Sequence, residues 1–282
     1  MNKQRINELA IIANKVRKNA LTAVYSASSG HPGGSLSIAD VLTLLYFEVM
    51  NVDPKNPKNP DRDRFVLSKG HCAPALYGTL AEKGYFPVED MKTFRNISSY
   101  LQGHPDMNKV PGVDMSTGSL GQGVCAAGGM ALAAKLDKKD YRVYSILGDG
   151  ELEEGQVWEQ AMFAPHYKLD NLTIFVDNNG LQIDGNIADV MNPNPIDEKF
   201  KAFGWHVIVT DAHDFEKLMA AIDEAKATKG KPTAIIMKSV KGKNVSFMEN
   251  NAAWHGSAPN KEQYEQAISE LDAKIAELEA NK

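Results

Sequence analysis

Four short apolar segments in the second half of the chain constrain the fold more than any other feature. Each has the length of a strand, and helix-length segments separate them. The apolar segments are Val143–Leu147, Leu172–Val176, Trp205–Val209 and Thr233–Met237, and the helices between them are predicted over Gln156–His166, Asp197–Phe203 and Asp214–Thr228. Such alternation is typical of a parallel sheet with helices on both faces. The sequence therefore predicts an α/β protein with a doubly wound, mostly parallel sheet.

The first half of the chain adds a long helix and one further strand. Apolar residues recur at helical spacing from Ile6 to Ala27, which predicts an amphipathic helix. The glycine-rich segment 29–34 is expected to end this helix, and a second helix is predicted over Ser37–Met50. After a proline-rich loop, Arg64–Leu67 is predicted to be a strand.

Two other helices have unusual composition. Gly121–Leu136 is crowded with Gly and Ala, which allow another backbone to approach closely, so this helix is expected to be buried. The last helix, from about Lys261, carries a narrow apolar seam that suits packing on its own domain or docking on a partner chain. We therefore expect one domain over residues 1–260 and a C-terminal helix over residues 261–282.

The overall composition excludes several classes of protein. The chain has 282 residues, 43% of them hydrophobic, and a formal net charge of −5. Its basic residues are scattered, so no nucleic-acid partner is expected. No apolar run of about 18 residues and no apolar leader segment is present, so neither a membrane span nor a targeting segment is predicted. Cys72 and Cys125 are isolated from each other, which fits a reducing cytoplasm.

The strongest local motif is Gly148-Asp149-Gly150, which follows the first of the four apolar segments. Open parallel sheets bind ligands beyond the carboxyl ends of their strands, where glycines let backbone N–H groups reach a phosphate. Three further carboxylates follow at Glu151, Glu153 and Glu154, and together they would repel an anion. A divalent cation that bridges Asp149 to a phosphate removes this conflict.

A second polar motif, Asp177-Asn178-Asn179-Gly180-Leu181, follows the next apolar segment. It adds hard oxygen ligands at the same edge of the predicted sheet. Mg²⁺ prefers about six oxygens, so Asp149, the Asn179 amide and one backbone carbonyl would leave room for phosphate oxygens and water. Taken singly, both motifs could be ordinary turns. Their position after successive strands favours a site for Mg²⁺, with Ca²⁺ as the alternative.

Four of the seven histidines lie next to glycine in predicted loops: His31, His71, His104 and His255. An imidazole in such a loop is free to accept or donate a proton near neutral pH. Taken alone, each of them is better interpreted as an ordinary surface or capping residue. Their wide separation along the chain, with no short paired spacing, argues against a zinc site.

Together these motifs resemble those of thiamine-diphosphate enzymes. Gly148-Asp149-Gly150 followed by Asn178-Asn179 is similar to a signature that decarboxylases and 2-oxo acid dehydrogenases share. Four more segments narrow the resemblance to the transketolase family: Ser29-Gly30-His31-Pro32-Gly33, residues 61–71, Gly103-His104-Pro105 and residues 117–123. The resemblance covers nearly the whole chain. It implies the thiamine-diphosphate-binding fold and the N-terminal subunit of a split transketolase.

The resemblance also implies roles for individual residues. Mg²⁺ would be held by Asp149, Asn179 and the carbonyl of Leu181. Contacts to the cofactor are implied for His71, Gly118, Ser119, Leu120, Asp149, Gly150, Asn179 and His255. Catalytic roles are implied for His31, His104, His255 and Glu154, the last of these at a subunit interface. The chain departs from the family at Ser119, where many members have proline, and at Lys69, where many have asparagine.

The activity that the resemblance implies is transfer of a two-carbon ketol unit from a ketose phosphate to an aldose. In the family, the glutamate that activates the cofactor belongs to a pyrimidine-binding domain. A partner chain with that domain and a C-terminal domain is therefore expected, in a heterotetramer with two copies of each chain. The alternatives are another thiamine-diphosphate enzyme subunit, similar to deoxyxylulose-phosphate synthase or to a 2-oxo acid dehydrogenase, a noncatalytic cofactor-binding subunit, or a metal-dependent phosphate hydrolase.

Overall fold

A five-stranded parallel sheet forms the centre of the computed structural model, which describes residues 1–280. The strands of the chain are β1 (Arg64–Leu67), β2 (Val143–Gly148), β3 (Leu172–Asn178), β4 (Leu181–Gln182), β5 (Gly185–Asn186), β6 (His206–Asp211) and β7 (Thr233–Lys238). The order in the sheet is β1-β2-β3-β7-β6, and every pairing in it is parallel. β4 and β5 form a separate antiparallel hairpin directly after β3.

Helices cover the sheet and connect its strands. They are α1 (Lys3–Ala27), α2 (Pro32–Ser37), α3 (Ala39–Leu44), α4 (Ala73–Lys83), α5 (Gln122–Leu136), α6 (Gly155–His166), α7 (Ile187–Val190), α8 (Ile196–Ala202), α9 (Phe215–Ala227) and α10 (Lys261–Ala280). Side chains at the N-caps fix where several of them begin. The Asp214 carboxylate, for example, accepts hydrogen bonds from the backbone N–H groups of Glu216 and Lys217 at the start of α9.

The two faces of the sheet belong to separate hydrophobic cores, because successive side chains of a strand point to opposite faces. Tyr144 and Ile146 of β2 pack in the core shared with α1, α3, α4 and α9. Val143 and Leu147 of the same strand pack in the core shared with α5, α6 and α8. The prediction of a doubly wound α/β fold is thus confirmed, including all five strands of the sheet that the sequence indicated.

The glycine-rich segment after α1 differs from the prediction. Residues 32–34 were expected to form a loop, but they begin α2. Proline suits the first position of a helix because its missing N–H would have no helical partner there. A Cβ on Gly34 would lie 2.8 Å from the Cys72 sulfur, so this glycine is needed for close packing rather than for a turn.

Two other parts of the first half were predicted less well. The helix expected over Ser37–Met50 is divided, since α3 ends at Leu44 and a π-helical turn follows over Leu45–Val49. α4 had no predicted counterpart. Its residues from Ala73 to Ala81 are all buried, so it lacks the polar face whose periodicity reveals an amphipathic helix in a sequence.

The Gly- and Ala-rich helix α5 was expected to be buried, but only one of its faces is. Val124, Ala127 and Ala131 are buried against the sheet, whereas Gly129 is exposed and a Cβ placed on it would meet nothing within 4 Å. The opposite face of α5, which includes Gly129, is therefore accessible to solvent in the single chain.

The C-terminal helix α10 packs along α1. The rings of Tyr25 and Tyr264 stack with their centroids 4.1 Å apart, and Leu271 is buried in a small core with Leu21. Lys18 forms an ion pair with Asp272 farther along the same contact. Through this contact α10 covers the outer side of α1. No helix among residues 1–280 is long and apolar enough to cross a membrane.

Candidate functional site

The carboxyl ends of the central strands meet at one edge of the sheet, and a cavity of about 380 Å³ opens there. Most of the residues predicted for a cofactor or metal line it: Gly118, Leu120, Asp149, Gly150, Asn179 and Leu181. The histidines His31, His71 and His255 and the predicted catalytic Glu154 line it as well. Residues more than two hundred positions apart in the sequence are thereby brought together around one space.

Asp149 follows β2 directly and is only 2% exposed. Its carboxylate accepts hydrogen bonds from the backbone N–H groups of Gly150 at 2.9 Å and Gly180 at 2.7 Å. Burial raises the pKa of Asp149 to about 6, and the neighbouring Asp177 carboxylate adds to the rise. Within the described residues no basic side chain forms an ion pair with Asp149. A buried carboxylate without a cation is costly, and a bound divalent cation would remove that cost.

Asn179 and Leu181 lie beside Asp149 because β2 and β3 are neighbours, with Gly148 in register with Asp177. The Asn179 amide nitrogen donates to Asp177 at 3.2 Å, and its amide oxygen accepts from the Leu181 N–H at 3.1 Å. The Leu181 carbonyl accepts from the ammonium group of Lys241 at 3.2 Å. One carboxylate, one amide oxygen and one backbone carbonyl therefore converge at the strand ends.

A buried ion pair that the sequence did not reveal lies next to these strand ends. Asp177 is fully buried and lies 2.5 Å from the ammonium group of Lys69, which is 2% exposed. The hydroxyls of Ser37 and Ser239 also donate to the Asp177 carboxylate. Burial alone would raise the pKa of Asp177, but Lys69 holds it below its usual value. The only signal in the sequence was that Lys69 departs from the family pattern.

Glu151 joins three loops around the cavity and is 2% exposed. Its carboxylate accepts from the Ser68 hydroxyl at 2.5 Å, the Gly121 N–H at 2.8 Å and the Gly148 N–H at 3.1 Å. Burial raises the pKa of Glu151, although these donors oppose the rise. The sequence analysis gave roles to Asp149 and Glu154 but none to Glu151, whose donors in the structure all come from the loops around the cavity, whereas Glu154 is exposed.

Three of the predicted histidines form a close cluster. The ring centroids of His31, His71 and His255 lie 5.1 to 5.4 Å from one another. Burial lowers the pKa of His31 to about 4, with help from Arg95, and it lowers that of His255 to about 3, with help from Lys241. Burial also places the pKa of His71 well below its usual value. Near neutral pH these rings are therefore uncharged.

Lys241 is a second residue that the sequence reasoning missed. It is 2% exposed, and its ammonium group lies 3.0 Å from Nδ1 of His255 as well as against the Leu181 carbonyl. Since an ammonium group only donates, Nδ1 of His255 accepts and the neutral ring carries its proton on Nε2. Burial lowers the pKa of Lys241, and the Lys69 ammonium adds to that effect.

His104 and Ser119 lie at the rim, both exposed, and neither lines the cavity. His104 sits over the loop at Gly118, where a Cβ would come within 3.0 Å of the imidazole. Its pKa is lowered by partial burial and then by Arg95. Arg95, which the sequence did not single out, donates to the Ser29 hydroxyl at 3.0 Å and places a cation next to His31 and His104.

Comparison with known proteins identifies the kind of site. The family model described as the transketolase, thiamine diphosphate binding domain matches residues 9–276. The chain belongs to the transketolase family. It is 46% identical over 272 residues to the 6-deoxy-6-sulfo-D-fructose transketolase subunit of a Clostridium species, a match that covers 96% of this chain and 98% of that relative. It is 44% identical to an apulose-4-phosphate transketolase subunit of Phocaeicola vulgatus, with 98% of each chain covered.

Full-length transketolases match in sequence and in structure. Human transketolase is 44% identical over 274 residues, which are 96% of this chain but 43% of the human protein. The crystal structure of a Pichia stipitis transketolase mutant superposes with a TM-score of 0.87 at 35% identity and covers 98% of this chain and 44% of that one. The chain thus spans less than half the length of these relatives.

These findings confirm the prediction of a transketolase N-terminal subunit with the thiamine-diphosphate-binding fold. The chain is a transketolase-type transferase subunit, as the sequence predicted.

Proposed function

We propose that this chain works with a partner chain to transfer a two-carbon ketol unit from a ketose phosphate to an aldose, using thiamine diphosphate and Mg²⁺. The observation that carries the proposal is the buried Asp149 carboxylate, which forms no ion pair among the described residues and lines the cavity with Asn179 and Leu181. Relatives of the same length that are named transketolase subunits support the two-chain organisation.

The oxygen ligands fit a hard cation. Asp149, the Asn179 amide and the Leu181 carbonyl would supply three oxygens, and diphosphate oxygens and water would complete the six that Mg²⁺ prefers. Ca²⁺ accepts the same donors, so it could replace Mg²⁺. Among residues 1–280 no group of three His, Cys, Asp or Glu side chains could hold a metal ion, so the cation would depend on mixed donors and on the cofactor itself.

The surrounding residues fit a diphosphate. Gly150 and the loop Gly118–Leu120 border the cavity, and the small size of the glycines allows a phosphate to approach the backbone. The ammonium group of Lys241, which contacts the Leu181 carbonyl, adds positive charge to the cavity lining. His71 and His255 would contact the cofactor. Ser119 is exposed at the rim of the cavity, so it would contact only the outer part of the cofactor.

The uncharged histidines would move protons. Bound thiamine diphosphate would supply a carbon nucleophile and an electron sink, which no side chain of the protein provides. His31 and His255 line the cavity as neutral rings, so His31 could exchange a proton with a sugar hydroxyl, and His255, with its proton on Nε2, could donate a hydrogen bond to a substrate oxygen. His104 at the rim would hold a substrate oxygen, and Glu154 would meet the partner chain.

The partner would be a chain with a pyrimidine-binding domain and a C-terminal domain, and we propose a heterotetramer with two copies of each chain in the cytoplasm. Glu153, Glu154 and Ile183 line the open side of the cavity, where an added domain would close it. The sugar need not be a simple pentose phosphate, since two relatives are named for a sulfonated hexose and for apulose 4-phosphate. The donor class we propose is therefore a ketose with an anionic group at its far end.

The test is two-carbon transfer by the chain purified alone and together with a co-expressed partner. We expect turnover from the pair only, and only with thiamine diphosphate and Mg²⁺. Phosphorylated and sulfonated ketoses are offered as donors, and the products identify the reaction. Full turnover by the chain alone would overturn the two-chain proposal. Decarboxylation of a 2-oxo acid would instead favour another thiamine-diphosphate enzyme, and phosphate release without an acceptor would favour a hydrolase.

A further inference from the structure

A buried row of polar side chains lies behind the cofactor site, on the face of the sheet covered by α1 and α3. Arg17 of α1 is 1% exposed and its guanidinium lies 2.5 Å from the carboxylate of Asp40 of α3. The same oxygen of Asp40 lies 2.7 Å from Nδ1 of His213, in the turn between β6 and α9. On the far side of the ring, the backbone N–H of Val240 donates to Nε2 of His213 at 2.9 Å.

These contacts fix the proton on the His213 ring. The Val240 N–H can only donate, so Nε2 must accept and carries no proton. Nδ1 then carries the proton and donates it to Asp40. Asp40 stays ionised, because Arg17 and His213 more than offset its burial and lower its pKa to about 2. The ring is thereby held in one neutral tautomer, with an acceptor aimed at the backbone of Val240.

Val240 lies between two residues that reach the cofactor site. The Ser239 hydroxyl donates to Asp177, under the proposed metal ligands. The Lys241 ammonium group contacts the Leu181 carbonyl and Nδ1 of His255. Elsewhere in this loop, the Ser239 N–H donates to the Asn178 carbonyl. On the other side of Val240, the Gly242 N–H donates to the Gly33 carbonyl. These two bonds hold the loop on either side, and the bond to His213 sets the local position of Val240 between them.

We propose that His213 is a positioning residue for the cofactor site, which acts by holding the Val240 N–H and so placing Lys241 against the Leu181 carbonyl and His255. The inference rests on the proposed function, because it concerns how the same site receives thiamine diphosphate. His213 itself does not line the cavity, so its effect reaches the cofactor through the backbone.

Two conservative substitutions separate the hydrogen bonds that His213 makes. In His213→Gln the side-chain oxygen reaches the position of Nε2 and can still accept from Val240, while the contact to Asp40 is weakened. In His213→Asn the amide nitrogen replaces Nδ1 and can donate to Asp40, but no acceptor reaches Val240. His206 is a matched control, because its ring contacts the Glu224 carboxylate at 2.8 Å on the exposed side of the molecule.

The first measurement is amide hydrogen exchange at Val240 and Lys241 in the purified chain, followed by NMR. Relative to wild type, we expect exchange at Val240 to be about threefold to tenfold faster in His213→Asn and little changed in His213→Gln, because one backbone hydrogen bond is lost only in the first variant. His206→Asn and His206→Gln should leave exchange at Val240 unchanged. Equal exchange at Val240 in the two His213 variants would overturn the inference.

The second measurement is a titration of the chain assembled with its co-expressed partner, using thiamine diphosphate and Mg²⁺ and followed by the thermal unfolding midpoint. We expect the apparent affinity to fall about threefold to tenfold in His213→Asn and to be retained in His213→Gln. Equal affinity in both variants, when the wild type binds, would contradict the positioning role. If the wild type shows no response to the cofactor, the proposed function fails, and the exchange comparison still decides the role of His213 at Val240.

Discussion

Replacing Lys69 by methionine should destabilise the protein strongly, because it leaves a charge buried without its partner. The Asp177 carboxylate is fully buried, and the Lys69 ammonium lies 2.5 Å from it. The substitution keeps the apolar stem of the side chain but removes the cation, and it also removes a donor to the Gly34 carbonyl. Breaking one half of a buried ion pair costs about 3 to 5 kcal/mol. The remaining donors from Ser37 and Ser239 favour the lower end of that range.

The loss should depend on pH in a defined direction. In the wild type, Lys69 holds the pKa of Asp177 below its usual value even though burial opposes this. Without Lys69, burial prevails and the folded variant binds a proton at Asp177 more tightly than the unfolded chain does. The stability of the variant then falls as pH rises through the raised pKa of Asp177, so its loss of stability relative to the wild type should be larger at about pH 8 than at about pH 5.

Urea unfolding followed by circular dichroism measures the effect, and the double variant Lys69→Met/Asp177→Asn tests its cause. Removing both charges should restore part of the stability, since no unpaired carboxylate remains. Lys135→Met is a control at the half-exposed ion pair with Asp170, where the expected loss is about 0 to 1 kcal/mol. If Lys69→Met unfolds like the wild type, or if the double variant is no more stable than the single one, the reasoning is refuted.

Three further predictions concern the cavity. Asp149→Asn should weaken Mg²⁺-dependent binding of thiamine diphosphate more than about tenfold by calorimetry, whereas Asp184→Asn, exposed on the next hairpin, should leave it unchanged; equal affinities would contradict the metal assignment. The NMR ring signals of His31 and His255 should not titrate between about pH 5 and 8, because their pKa values lie at about 4 and about 3. Since the unfolded rings protonate near pH 6.5, the free energy of unfolding should fall as pH drops below about 6.5. A titration of either ring near pH 6.5 would disprove the burial argument. Glu151→Ala should speed hydrogen exchange at the two glycine amides that donate to its carboxylate, and unchanged rates would mean that the loops are held by other contacts.

The sequence predicted what depends on local pattern and on neighbouring strands. The alternation of apolar segments gave the sheet, and the ends of two successive strands placed Asp149 next to Asn179 because β2 and β3 pair directly. Residues that act through distant contacts could not be found in this way. Lys69 and Asp177 are 108 positions apart, and the contact of His213 with Asp40 spans 173 positions. Neither pair has a spacing that a periodicity or motif would reveal.

The role of a glycine also cannot be predicted from its neighbours in the sequence alone. A pair of glycines in a sequence favours a turn, yet Gly33 and Gly34 lie within α2. The reason lies in other elements, since a Cβ at these positions would meet the Trp254 carbonyl or the Cys72 sulfur at 2.8 Å. Only the tertiary structure distinguishes a glycine needed for close packing from one needed for its conformational freedom.

The strand order also determines when the nascent chain can become stable. β7 is the last strand to be synthesised, yet it lies between β3 and β6, and β6 pairs with it at the edge. Until residue 238 has left the ribosome, β6 has no neighbour and β3 presents an open apolar edge. The emerging polypeptide therefore leaves these strand edges unpaired for most of its synthesis, and unpaired strand edges are prone to aggregation.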